Sequence, residues 1–151
     1  MSINIPPETN EQQIVIQYLR RKKIPHTSMP NENKYGGVIT GLLINIIGKI
    51  RAMKTSAKIV SSIENKMKAE GKQKGYPDII IDRSNRYYHG LRIEMKRQKK
   101  QLQTKLSTAH TKVSPEQKEW IETLKNEGYY AVVCYGAKEA IGVIDDYMEN
   151  R

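Results

Sequence analysis

The fold of this chain is decided by two short stretches, Gly75-Tyr-Pro-Asp-Ile-Ile-Ile81 and Gly90-Leu-Arg-Ile-Glu-Met-Lys96. The first leads into the short β-branched run Asp78-Ile-Ile-Ile-Asp82, and the second resumes an apolar alternation from Leu91 to Met95. A turn signal, Ser84-Asn85, lies between them. This pattern predicts two strands that pair in an antiparallel manner.

Three charged residues interrupt these apolar strands. Asp78 opens the first strand, while Glu94 and Lys96 lie two apart on the second and so point to the same face. If the strands pair, the two carboxylates converge on one side of the sheet. A purely structural interpretation also exists, since Asp often opens a strand and a Glu with a Lys two residues later often forms a solvated face. The apolar setting favours a functional site, because a buried acid is costly without a partner or a metal.

Two carboxylates and a lysine suit phosphodiester hydrolysis. Hard oxygen ligands favour Mg²⁺ or Mn²⁺, which keep several waters and take their remaining ligands from substrate phosphate. Such an ion polarises the phosphodiester and generates a hydroxide nucleophile. Lys96 would orient the attacking water or stabilise charge on the phosphorane. The residues alone therefore predict Asp78, Glu94 and Lys96 as a metal-dependent catalytic centre.

Helices are predicted before this pair of strands. Apolar spacing indicates helices from Glu11 to Lys23, with Asn10 as a possible N-cap, and from Val38 to Ile50, with more helix from Met53 to about Ala69. A loop is predicted between the first two, from His26 to Gly37.

A further helix, strand and helix are predicted after the pair. Ser114-Pro-Glu-Gln117 is typical of a helix start, with Ser114 as cap and Gln117 able to complete a capping box. Tyr130 to Tyr135 indicates a buried strand and Ala137 to Met148 a last helix, while Gln98 to Val113 is expected to be a long loop. The predicted order is α-α-β-β-α-β-α, an α/β fold with a small mixed sheet flanked by helices.

Charge points to a polyanionic partner. Lys and Arg total 26 against 16 acidic residues, giving a net charge of +10 in 151 residues. Between Glu94 and Glu116 there is no acid, while six basic residues fall in that gap: Lys96, Arg97, Lys99, Lys100, Lys105 and Lys112. A domain this basic suits nucleic acid, because each neutralised phosphate releases counterions. The alternative is a cationic surface selected for solubility.

At this point a resemblance becomes specific. Pro77-Asp78, followed after a spacer by Glu94-Met95-Lys96, resembles the signature of the PD-(D/E)XK nucleases. With its surroundings, the chain resembles the VRR-NUC (virus-type replication-repair nuclease) branch of that superfamily. The supporting blocks are Gly71-Lys-Gln-Lys-Gly75, Gly90-Leu-Arg-Ile-Glu-Met-Lys96, Ser114-Pro-Glu-Gln117-Lys-Glu-Trp120, and Gly128-Tyr-Tyr-Ala-Val-Val-Cys-Tyr-Gly136.

The resemblance implies a restriction-endonuclease-like core and a set of site residues. It implies one VRR-NUC domain over residues 1–151, with its core at about 71–141 and N-terminal helices over 10–70. It implies metal ligation by Asp78, Glu94 and the carbonyl of Met95, catalysis by Lys96, and an active-site position for Gln117. Glu11 matches, more weakly, the acid that the family carries on its N-terminal helix. The expected DNA-binding residues are Lys72, Lys74, Arg97, Lys99, Lys100 and Lys105.

The function implied is a structure-specific DNA endonuclease. Small stand-alone VRR-NUC proteins of phages and bacteria resemble junction-resolving enzymes that act as homodimers, so the expected substrate is branched DNA. The apolar face from Val38 to Ile50 is either the dimer contact or intrachain core. Two alternatives stay open, a nuclease that cuts flaps or nicks duplexes, and a basic DNA-binding module that no longer cleaves.

The remaining features predict a cellular location and a role for Cys134, and they leave the role of two tyrosines open. No signal peptide and no membrane span are expected, and the single Cys134 cannot form an internal disulfide, so the cytoplasm of a bacterial or phage-infected cell is predicted. No small-molecule cofactor is expected. Cys134 lies in an apolar strand, so a place in the hydrophobic core is favoured over a role as a catalytic nucleophile. Tyr87 and Tyr88 either stack on bases or simply line a hairpin.

Overall fold

A four-stranded mixed sheet is the centre of the part of the chain that carries the predicted site. The computed structural model describes residues 8–29, 33–98 and 112–150. The chain divides into two units, one formed by Met1–Met29 with Lys74–Arg151 and the other by Pro30–Gln73. The described elements are α1 (Glu8–Arg21), β1 (Thr27–Ser28), α2 (Asn33–Ile47), α3 (Lys49–Ala69), β2 (Ile79–Ile81), β3 (Leu91–Lys96), α4 (Pro115–Asn126), β4 (Tyr130–Tyr135) and α5 (Ala137–Glu149).

The sheet has the strand order β1-β2-β3-β4. The antiparallel pairing of β2 with β3 is confirmed, with Ile79 opposite Ile93. β3 also pairs in parallel with β4, after the crossover through α4. Because β3 has a strand on each side and a helix over each face, all six of its residues are buried.

The two faces of β3 have different chemistry. Leu91, Ile93 and Met95 belong to the main hydrophobic core, which also contains Val15 of α1 and Ile144 of α5. The alternate residues of β3 point to the other face, where Ile121 and Leu124 of α4 pack on Ala131 of β4. Those alternate residues are Arg92, Glu94 and Lys96, so the strand buries three charged side chains in a row.

The start of α4 confirms its predicted cap. Ser114 Oγ accepts from the backbone N–H of Gln117 at 3.2 Å, and Gln117 Oε1 accepts from the N–H of Ser114 at 2.9 Å. Pro115 occupies the first helical position, where its missing N–H costs nothing. This reciprocal cap fixes where the helix begins and therefore where Gln117 is placed.

The second unit is a pair of helices. One helix was predicted from Val38 to Ile50, but α2 ends at Ile47 and Ile50 belongs to α3. Gly48 has φ 74°, a left-handed conformation that glycine adopts without strain, and it separates the two helices. Thr40 Oγ1 and Ser56 Oγ lie 2.6 Å apart and hydrogen bond α2 to α3.

Other differences from the expected elements are small. The loop predicted from His26 to Gly37 is wrong at both ends, because it contains β1 and because α2 already begins at Asn33. The two residues of β1 are too few for a hydrophobic pattern. Beside β1, the Met29 N–H donates to the Asp78 carbonyl. The helix expected from Glu11 already includes Glu8, so Asn10 is inside α1 and not its cap. Within the described ranges, no helix combines the length and apolar character needed to cross a bilayer.

Candidate active site

The two predicted acids are neighbours at one end of the β2–β3 pair. Continuing the register by one residue from Ile79 and Ile93 sets Asp78 opposite Glu94. Residues directly opposite have Cα atoms about 4.5–5.5 Å apart and side chains on the same face. Asp78 is also tied to β3, because its Oδ2 accepts from the Met95 N–H at 2.9 Å.

One carboxylate oxygen of Glu94 accepts hydrogen bonds from two donors. Its Oε1 accepts from Lys96 Nζ at 2.8 Å and from the side-chain amide of Gln117. Glu94 is only 3% exposed, so its carboxylate is largely removed from water.

The electrostatic setting makes the charged form of Glu94 costly. Burial and the negative charge of Asp78 together raise the pKa of Glu94 to about 7, although Lys96 acts in the opposite direction. Lys96 is itself buried. A pKa above the usual value of 4.5 marks a carboxylate that is removed from water and has a second acid beside it.

Gln117 fills both of the roles that the sequence suggested. Its oxygen and backbone N–H form the capping box with Ser114, while its side-chain nitrogen donates to Glu94. The cap leaves only the amide nitrogen free to reach the site, so it also fixes which end of the side chain faces Glu94. The helix start thus positions a donor against the buried carboxylate.

Gly75 lets the chain before Asp78 pass tightly over α4. It has φ 84°, and an added Cβ would lie 2.8 Å from the Glu116 carbonyl carbon and 2.9 Å from Gln117 N. Trp120 of α4 secures the same segment by donating from Nε1 to the Lys74 carbonyl at 3.1 Å. The family-like glycine block and Trp120 therefore serve one purpose, which is to hold Asp78 and Gln117 near each other.

Two hydrogen bonds of Glu11 go to residues outside this group. One of its oxygens accepts from the Ala137 N–H at 2.7 Å, and the other accepts from Gln98 Nε2 at 2.9 Å. It is buried, and it places a negative charge at the amino end of α5, where the helix dipole favours one. Glu8, one turn earlier in α1, is instead the acid whose charge acts on Glu94. Sequence reasoning missed Glu8 because both acids lie in the first turn of the helix.

The predicted DNA-binding residues are only partly placed. Lys74 is exposed and forms an ion pair with Glu116, and that hydrogen bond lowers the pKa of Glu116 to about 2. Lys72 and Arg97 are half-buried and have interactions of their own. The predictions for Lys99, Lys100 and Lys105 lie outside the described residues.

The donor set suits a hard divalent cation that keeps water ligands. Residues 8–29, 33–98 and 112–150 contain no group of three or more His, Cys, Asp or Glu side chains arranged to hold a metal ion. Asp78 and Glu94 supply two neighbouring carboxylates. A divalent cation bound to them would offset their mutual repulsion, which adds to burial in raising the pKa of Glu94.

The mixed sheet and the helices around it define the class of the molecule, which is a PD-(D/E)XK-like core. Comparison with known proteins gives the family. The VRR-NUC domain model matches residues 40–138, so the match begins well before the blocks that the sequence alone suggested. A solved structure titled "VRR_NUC domain protein" is 27% identical and covers 98% of this chain and 93% of its own, with a TM-score of 0.65. No curated protein matches.

The chain belongs to the VRR-NUC family, which is a family of nucleases. Membership implies nuclease activity with nucleic acid as the substrate.

Proposed function

We propose that this chain is a metal-dependent endonuclease that hydrolyses phosphodiester bonds in branched DNA, in the manner of a Holliday-junction resolvase. The observation that carries the proposal is the convergence of Asp78, Glu94, Lys96 and Gln117 on one face of the sheet. The net charge of +10 supports a DNA substrate, because phosphate contacts dominate affinity for nucleic acid.

Each residue has a role in this proposal. Asp78, Glu94 and the Met95 carbonyl would hold Mg²⁺ or Mn²⁺. When bound, that ion would polarise the phosphodiester as a Lewis acid and lower the pKa of the attacking water. Lys96 places its ammonium beside the reacting phosphate and stabilises the developing charge. Gln117 keeps Glu94 in the orientation that the ion requires.

Variants at these positions separate the roles. We expect Asp78→Asn and Glu94→Gln to lose metal binding and cleavage while DNA affinity remains largely intact. Lys96→Ala is expected to retain metal binding and lose the chemical step, by about 100-fold or more. Either acid variant cutting at nearly the wild-type rate would contradict the assignment.

The substrate is tested with labelled four-way junction, flap and duplex DNA, each with and without Mn²⁺. Preferential, symmetric cutting of the junction supports the proposal. Preferential cutting of the flap or nicking of the duplex would replace it with a different nuclease. Tight binding with no cleavage of any substrate, equal in wild type and Lys96→Ala, would indicate a DNA-binding module without activity.

We also propose that the protein acts as a homodimer through α2. The intrachain-core alternative does not hold for Val38, Leu42, Ile46 and Ile50, whose side chains are between 62% and 76% exposed. The first three are four residues apart on one side of α2, which carries no charged residue after Lys34. An exposed apolar stripe of this kind is typical of an interface, and a second copy supplies an identical stripe.

A further inference from the structure

The turn between β2 and β3 presents tyrosines to solvent. Tyr87 is 69% exposed and Tyr88 is 37% exposed. Their ring centroids lie 6.5 Å apart in an edge contact, and Tyr88 lies 5.1 Å from Tyr130. Tyr130 in turn stacks on Tyr147 at 6.2 Å with an interplanar angle of 12°. The four rings form a series that begins in the core and ends in solvent at Tyr87.

The turn that carries these rings is held by backbone contacts. Asn85 Oδ1 accepts from the N–H groups of Tyr87 and Tyr88, both at 2.9 Å. Asn85 Nδ2 donates to the Tyr147 carbonyl at 3.2 Å, and the Tyr147 hydroxyl donates to the Arg83 carbonyl at 2.7 Å. Since the bond at residue 87 uses its backbone N–H, the exposed ring can be removed without breaking the turn.

The charge around this turn is positive. Arg86 is exposed and directly precedes Tyr87, and Arg83 is half-buried nearby. Asp82 is the sole acid in the sequence between Ile81 and Leu91, and it is paired with Arg92 at 2.8 Å. An exposed aromatic ring beside an exposed arginine suits a nucleotide, whose base stacks and whose phosphate attracts arginine.

We propose that this turn is a second DNA contact, at which Tyr87 stacks on an unpaired base and Arg86 binds the adjacent phosphate. The inference rests on one part of the proposed function, namely that the substrate is DNA. Gly90, where the turn ends, is four residues along β3 from Glu94, or about 13 Å. With stacked nucleotides about 3.4 Å apart, a strand held at Glu94 reaches the turn after at least about four nucleotides.

The test measures binding without cleavage. Fluorescence anisotropy in EDTA compares wild type, Tyr87→Ala and Tyr87→Phe on duplexes whose 5′ or 3′ single-stranded tail grows one nucleotide at a time. We expect Tyr87→Ala to bind long-tailed DNA about 5- to 100-fold more weakly and blunt duplex equally well. Tyr87→Phe keeps the ring and should bind like wild type. Arg86→Gln should reduce the slope of log affinity against log salt by about one.

Three results would overturn the inference. The first is that Tyr87→Ala binds as tightly as wild type at every tail length. The second is that Tyr87→Phe loses as much affinity as Tyr87→Ala. The third is that Tyr87→Ala loses as much affinity for blunt duplex as for tailed DNA. Unchanged thermal unfolding of Tyr87→Ala shows that the fold is intact. Failure of the proposed function is distinguishable, because it would appear as wild-type protein that cuts no substrate in Mn²⁺ while tail-dependent binding through Tyr87 persists.

Discussion

Glu94 shows how a single buried residue links stability to chemistry. Its carboxylate is surrounded by apolar strands and faces Asp78, so the folded protein without metal favours its protonated form and its pKa is about 7. A cation that binds there must displace that proton. Metal affinity and pH are therefore coupled through one side chain.

We expect the affinity for Mn²⁺ to rise with pH up to about 7 and then to level. Below that value each pH unit should cost about tenfold in affinity, because the ligand must first lose its proton. Isothermal titration of Mn²⁺ across pH values on both sides of 7 measures this. Affinity that is constant from about pH 5 upward would show that Glu94 ionises normally and would contradict its assigned environment.

The same shift predicts how folding responds to pH. The pKa of Glu94 in the folded protein lies above the ordinary 4.5, so protonation of Glu94 favours folding. This contribution to stability is complete below about pH 4.5 and is lost as the pH rises through about 7. Mn²⁺ should therefore raise the unfolding temperature more above pH 7 than below it. Calorimetry with and without Mn²⁺ gives the comparison, and Asp78→Asn, which is expected to lose metal binding, should show no effect of Mn²⁺ at any pH.

Glu8 and Glu11 provide a matched pair of variants on one helix. Glu8→Gln removes a charge that raises the pKa of Glu94, so the carboxyl NMR titration of Glu94 should move to lower pH. Glu11→Gln should leave that titration in place but cost about 1–2 kcal/mol of unfolding free energy, because its carboxylate caps α5. A Glu94 titration that moves to lower pH in Glu11→Gln and stays in place in Glu8→Gln would instead support a position for Glu11 at the metal site.

At the scale of elements, the sequence predicted most of what positions the site. Strong local signals gave β2, β3 and the cap of α4, because β-branched runs and capping residues act over a few positions. Glu8 and Gln98 could not be selected, since their partners are distant in sequence. The two-residue β1 and the break at Gly48 also escaped, because pairing with β2 and a left-handed backbone leave little hydrophobic pattern.

The contact of the segment before β2 with α4 makes Gly75 the most sensitive glycine near the site. Gly75→Ala combines an unfavourable φ with a Cβ 2.8 Å from Glu116 backbone, so we expect a loss of about 2–4 kcal/mol in unfolding free energy. Cleavage should fall as well, because Asp78 and Gln117 separate.

Gly71→Ala is the matched control for that substitution. Gly71 has φ 96° but nothing within 4 Å of an added Cβ, so only the backbone strain of about 1 kcal/mol remains. Urea unfolding and cleavage assays on both variants give the comparison. Equal losses in the two proteins would mean that the close approach to α4 has no part in building the site.

For the whole molecule, one site can cut one strand, whereas symmetric resolution of a four-way junction needs two sites held at a fixed spacing. A dimer related by two-fold symmetry supplies them, and the exposed stripe on α2 is self-complementary because it is apolar and uncharged. Assembly and substrate choice are therefore expected to change together.

Leu42→Lys combined with Ile46→Lys tests that dependence. Each copy would contribute two lysines, and burying these four charges in a symmetric interface should weaken dimerisation at least about 100-fold. Lysine is a good helix former, so α2 should remain helical. Light scattering at micromolar concentration should then show monomers. In cleavage assays these monomers should nick four-way junctions on one strand at a time without resolving them symmetrically. Ile14→Lys, at an exposed isoleucine on α1, should change neither assembly nor cutting. Monomeric wild-type protein under the same conditions would remove the α2 interface and the symmetric mechanism with it.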